Sequence, residues 1–181
     1  MHVFTKQLSL AGLALTLAAT CAYAQDLRRF DMATVPLAKI NLKGGSFIAR
    51  LLEKQTPYRS QLLLECQDCT SANDALVGLA TETSNDAADF AADPDLYLRQ
   101  LNAVCLAQAQ SCAFRKTSHK GLKGYAYVAH YADGITVVEH IYFSNGLVFV
   151  INASSASEEI AKANVTTLID VASPYVTGKS N

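Results

Sequence analysis

Charge of one sign is not in excess in this chain: 15 Lys and Arg face 16 Asp and Glu over 181 residues. That balance excludes a dedicated nucleic-acid binder, which carries a basic surplus. No segment repeats, which excludes a solenoid. No low-complexity linker divides the chain. Beyond the first two dozen residues no apolar run reaches the roughly 20 residues that a spanning helix needs. Local catalytic signatures are missing as well. In "KGGS" (Lys43–Ser46) the lysine precedes the glycines and the second Gly-Lys-Ser/Thr element is absent, so it is no phosphate loop. There is no nucleophile elbow and no histidine pair at metal-binding spacing, and no cofactor or metal is implied.

What is present begins with an export signal. Lys6 supplies a positive n-region, "LSLAGLALTLAAT" (Leu8–Thr20) an apolar h-region, and Ala22-Tyr23-Ala24 the small residues that a signal peptidase reads. Cleavage after Ala24 removes residues 1–24 and leaves residues 25–181 as one domain of ordinary size. Cys21 is a poor lipoprotein cysteine, because Thr20 and Ala18 stand where such a signal wants a small residue and a leucine. The expected location is the periplasm, with secretion as the variant. The sequons at Asn152 and Asn164 fall in a strand and a helix, where they are read as chance.

Four cysteines then remain, Cys66, Cys69, Cys105 and Cys112. An even number in an oxidising compartment reads as two disulfides. Three pairings exist, and the local set Cys66–Cys69 and Cys105–Cys112 is favoured. Pairing Cys105 with Cys112 demands a helix break near 109–111, since seven residues of unbroken helix rise about 10 Å, beyond disulfide reach. Cys66-Gln67-Asp68-Cys69 admits a redox reading, in which the protein is a periplasmic thiol-disulfide oxidoreductase. Against that, the pair follows an apolar strand instead of opening a helix, and Glu65 and Asp68 beside it disfavour the thiolate. A zinc site would need two close-spaced cysteine pairs, and the second pair is too far apart.

The coarse element reading is α+β. Leu62–Cys66 and Ala75–Thr81 read as strands, residues 46–55 as helix or strand, and residues 30–45 as an extended segment closed by Gly44-Gly45. Asp93-Pro94 starts a helix, with Asp93 as N-cap, that runs to about Gln110 with Tyr97, Leu101, Val104 and Cys105 on one face. Asp133-Gly134 and Asn145-Gly146 read as two-residue hairpin turns joining strands Tyr125–Ala132, Ile135–Phe143 and Leu147–Ala153. Ser155-Ala156-Ser157-Glu158 reads as a capping box opening a last helix, with Ala161, Val165, Leu168 and Ala172 inward and Pro174 past its end.

Two-residue turns set register, so faces can be assigned. Ala132 is expected opposite Ile135, Val128 opposite Glu139, and Glu139 opposite Asn152. One face then collects Tyr125, Tyr127, Tyr131, His140, Tyr142 and Phe149. His130, Glu139 and Asn152 form a polar row on the other, where a carboxylate can orient an imidazole. His130 and His140 are expected on opposite faces, unable to share a metal unless a bulge shifts the register.

Charge is unevenly placed. Eight acids and no base lie between Ser60 and Leu98, and five bases and no acid between Arg99 and Lys123. The basic stretch "RKTSHKGLKG" reads as an exposed connection whose Arg115, Lys116, His119, Lys120 and Lys123 can meet an acidic partner. The order of elements from Gln61 to Val176, with "GYAYVAHY" and "GLVFVINASS" before the last helix, resembles the PsbP-like fold. That resemblance implies an antiparallel sheet between helices and a binding or accessory role, with no catalytic residues. The expectation is an exported, non-catalytic envelope protein that binds another protein or an anionic envelope component.

Overall fold

The computed structural model describes residues 40–51, 59–69, 76–83, 86–144 and 147–176. The expected signal segment, Cys21, residues 25–39 and the Asn145-Gly146 pair expected to turn lie outside the described residues. Among the described residues ten elements follow in order: β1 Phe47–Leu51, β2 Arg59–Cys66, β3 Leu76–Thr83, α1 Asp86–Ala92, α2 Pro94–Leu106, β4 Ser111–His119, β5 Leu122–His130, β6 Thr136–Ser144, β7 Leu147–Ser155 and α3 Glu158–Val176. The seven strands form one sheet in the order β1-β2-β3-β7-β6-β5-β4, every neighbour antiparallel. The fold is α+β, as the residue patterns imply, and β1 settles the ambiguous 46–55 stretch as strand over Phe47–Leu51.

The chain crosses from central β3 to edge strand β4 through α1 and α2, which cover one sheet face. Their Phe90, Tyr97, Leu98 and Leu101 pack on Tyr125, Ile141 and Val148. Rings of Phe90, Tyr97, Phe114, Tyr125 and Phe143 meet there at 5.2–6.2 Å between centroids, within the range for edge-on and offset contact. Helix α3 covers the opposite face. Its Ala161, Val165, Leu168, Ile169 and Ala172 press on Val138, Tyr142, Phe149 and Ile151. Phe149, Ile151 and Leu168 are fully buried, each contributing roughly 1.5–3 kcal/mol of apolar transfer.

Asp93 caps α2 as expected: its side chain accepts from the Leu96 N–H at 2.9 Å, and Pro94 takes the first turn, where no amide donor is needed. The helix ends at Leu106, four residues earlier than expected. Ala107–Gln110 forms the break that the Cys105–Cys112 pairing requires, and the Gln110 N–H already donates to the His130 carbonyl. Both local disulfides are formed, Cys66–Cys69 and Cys105–Cys112.

The N-cap of α3 is Ser157, not Ser155. Ser157 Oγ accepts from the Ile160 N–H at 3.4 Å, while Ser155 Oγ accepts from the Ser157 N–H. Pro174 lies inside α3 instead of beyond it. Its ring deprives the Asp170 carbonyl of a helical donor, and that residue faces solvent, which can replace the bond.

Two corrections reshape the sheet. The basic stretch is not a loop. Arg115–His119 belongs to β4, Leu122–Gly124 to β5, and only Lys120-Gly121 turns, both at positive φ (48° and 91°). This is a two-residue turn of the type that matches strand twist. Charge disguised the strand, but lysine is a usual guard of a sheet edge.

The second correction concerns the Asp133-Gly134 turn. Tyr131 pairs with Ile135 around a three-residue loop, Ala132-Asp133-Gly134, with Gly134 at φ 85°. One extra loop residue slips the β5–β6 register by one: Val128 faces Val138, and Tyr127 faces Glu139. The β6–β7 register is as expected, with Glu139 opposite Asn152 and Ser144 opposite Leu147. Tyr125 and Tyr127 therefore share a face with Glu139, and the tyrosine face splits between two cores.

Candidate functional site

The register slip dissolves the His130–Glu139–Asn152 row. Glu139 and Asn152 stay together on the α1–α2 face, where Asn152 Nδ2 donates to Glu139 Oε2 at 3.1 Å. Burial pushes the Glu139 carboxyl above its usual range, and hydrogen bonds from Asn152 and Tyr127 pull it back in part. This is an internally satisfied polar pair, not an open site.

His130 turns to the α3 face, the same face as His140. There the sheet is wider than its cover. Helix α3 lies over β6 and β7, and between its flank and β4 a trough of about 440 Å³ opens over part of β5. Its floor is small and apolar, formed by Ala126, Val128 and Val138. One wall is the edge strand with Ala113 and Arg115; the other is the α3 flank with Glu158, Lys162 and Thr166, one turn apart. The opposite flank of α3 is occupied by residues 40–44. Lys43 donates its N–H to Asn164 Oδ1 at 2.6 Å and accepts from Asn164 Nδ2 at 3.0 Å.

Two contacts tie the trough's ends, set about 18 Å apart along the helix at 1.5 Å per residue. At one end His130 Nε2 lies 3.3 Å from Glu158 Oε2, with its Nδ1 at 3.0 Å from Thr136 Oγ1. Glu158 also pairs with Lys162, and that hydrogen bond is the main cause holding its carboxyl below the usual value. At the other end Lys120 Nζ reaches Asp170 Oδ1 at 3.3 Å. His119 Nε2 sits 3.4 Å from the same oxygen but without hydrogen-bond geometry. Burial lowers the His119 pKa and the Asp170 charge only opposes that, so Lys120 is the effective partner of Asp170.

Between the ties stand Arg115 and His140. The His140 Nδ1 is 3.0 Å from the Tyr142 hydroxyl, which is fully buried and bonded in turn to Thr117. Burial first, then the nearby Arg115 and His119, depress the His140 pKa to about 4, so the imidazole is neutral at pH 7. Arg115 has no ion-pair partner among the described residues.

Of the other basic residues, Lys116 faces away and pairs with Asp95 of α2 at 2.9 Å. The acidic and basic stretches thus neutralise each other there in part. Lys123 lies on the α1–α2 face, beside Phe90 and Pro94. His130 and His140 share the trough, yet no group of three His, Cys, Asp or Glu among the described residues is placed to hold a metal ion. From sequence, His140 was placed on the face opposite His130, Glu158 was read only as part of a cap, and Lys162 and Thr166 were not singled out. The four-residue spacing of Glu158, Lys162, Thr166 and Asp170 was the available signal.

Cys66–Cys69 lies elsewhere, at the end of β2 against Gly45, where a Cβ would collide with both sulfurs and with the Asp68 carboxylate. Asp68 accepts from the Ser46 N–H at 2.6 Å and the Ser46 hydroxyl at 2.9 Å. The bridge seats a turn, and among the described residues no helix N-terminus lies at the sulfurs to stabilise a thiolate.

No protein-family model matches the chain, and no curated protein matches its sequence. Fold and site define a disulfide-stapled α+β protein: a seven-stranded antiparallel sheet between helices, with a polar-walled, apolar-floored trough beside its last helix. No described helix is long and apolar enough to cross a membrane.

Proposed function

We propose that this protein is an exported, non-catalytic binding protein of the periplasm and that the trough between α3 and the β4 edge is its binding surface. The observation that carries the reading is Arg115: a cation on the wall of an apolar-floored cleft, without an acidic partner among the described residues, beside a neutral imidazole. Clefts of this size with few convergent polar groups are the usual form of ligand sites. Two disulfides accord with life outside the cytoplasm. The order of elements supports placing the chain with PsbP-like proteins, whose role is accessory. The partner is another protein or an anionic envelope component, and no nucleic acid is involved.

Immobilised mature protein is expected to capture a component of envelope extract at low salt. Capture should fall as salt rises and be lost in Arg115→Glu, while Lys123→Glu on the other face captures normally. Equal capture by both variants, or a turnover abolished by His130→Ala, would remove this reading.

A further inference from the structure

The trough's donors select a class of ligand, and the selection rests on reading the trough as the binding surface. We propose that it binds a carboxylic acid with an apolar body, the carboxylate held by the Arg115 guanidinium and the His140 Nε2–H, the body lying on Ala126, Val128 and Val138.

Arg115 presents a planar fork of N–H donors that matches a carboxylate in two parallel bonds. The nearest carboxylate on the facing wall, Glu158, is already shared by Lys162 and His130. His140 supplies the second donor. Its Nδ1 is engaged by the Tyr142 hydroxyl, which takes the Thr117 hydrogen bond on its other side. A neutral imidazole carries one proton, and the proposed tautomer has the Tyr142 phenol donating to Nδ1 and that proton on Nε2. Among the described residues nothing bonds to this Nε2.

The floor discriminates further. The partly exposed Val128, beside the almost fully buried Ala126 and Val138, gives an aliphatic body contact and gives a hydrated polyanion none. A phosphate dianion would face one unpaired cation across from Glu158, too little positive charge to replace its water. An ammonium group would meet Arg115 and Lys162 as like charges. The volume of about 440 Å³ suits a small molecule or the last residues of a chain. The carboxylate can thus belong to a free acid or to the C-terminus of a peptide.

The experiment is an NMR titration of the mature protein, following the His140 ring and the Arg115 side chain. The probes are hexanoate, hexanol, and N-acetyl-Ala-Val with a free or an amidated end. Hexanoate should shift both groups saturably and hexanol should not. Arg115→Gln should weaken hexanoate by at least about tenfold, through loss of the charge-assisted fork. Lys123→Gln should stay within about twofold, as a remote surface charge. Tighter binding of the free-ended peptide than of hexanoate assigns the site to chain termini; the reverse assigns it to free acids. No saturable shift from either carboxylate, equal shifts from hexanol, or a folded Arg115→Gln that binds as the parent does would overturn the proposal. If carboxylates fail while envelope capture persists, the ligand class falls and the binding reading stands. If capture fails while hexanoate binds, the reverse holds.

Discussion

At the scale of single residues, the feature with most consequence is a neutral histidine beside an arginine. His140 was legible as a strand residue, but its environment was not, because burial and the Arg115 charge come from other strands. Its depressed pKa has a defined sign for stability. Between the unfolded value near 6.5 and the folded value of about 4, the unfolded chain binds the extra proton. Stability from this group is therefore complete above pH 6.5 and is lost as pH falls toward 4. Observed by NMR, the His140 ring is expected to show no titration between pH 8 and 5.5 and a midpoint near 4. A midpoint near 6.5 would contradict the packed, Tyr142-bonded ring. Glu139 shows the same lesson from the other side. Its pairing with Asn152 was readable from the Asn-Gly turn, while its burial needed the helices above it.

At the scale of elements, turns decided most. Lys120-Gly121 makes the β4–β5 hairpin with a lysine at φ 48°, a conformation that costs a non-glycine residue about 1–2 kcal/mol. The exposed Lys120–Asp170 pair returns at most about 1 kcal/mol. Asn tolerates this conformation, so Lys120→Asn should stabilise the protein by roughly 0.5–1 kcal/mol, seen as a higher urea midpoint at unchanged slope. A lower midpoint would mean that the tie to α3 outweighs backbone strain. The Asp133-Gly134 loop was recognised as a turn, but its length was not. "ADG" serves a two-residue or a three-residue hairpin equally well, and only strand pairing on either side selects one. That single residue moved His130 from Glu139 to His140. Asp93-Pro94 was read correctly because a cap and its proline are a local matter, complete within four residues.

At the scale of the whole molecule, the sheet's edge and the crossover set the site. The Cys105–Cys112 bridge ties the end of α2 to the first turn of β4, the strand that forms the trough's outer wall. By loop-closure entropy a ring of this size contributes about 2–3 kcal/mol. The Cys105→Ser/Cys112→Ser double variant should melt roughly 5–10 °C lower without reductant. The Cys66→Ser/Cys69→Ser pair should lose less, its ring being shorter. Equal losses would show that strain or packing, not ring size, governs these bridges.

From local chemistry alone the sequence determined the α+β class, the α2 cap, the β6–β7 register and the inward face of α3, and it favoured the local cysteine pairing that the structure then selected among three. Each depends on residues close in the chain, where turn, cap and period act within a few bonds. The tertiary structure alone decided that β4 exists, which face His130 joins, and that α3 is narrower than the sheet it covers. Those outcomes depend on hydrogen bonds and burial between segments up to a hundred residues apart, and no local pattern encodes which of them will meet.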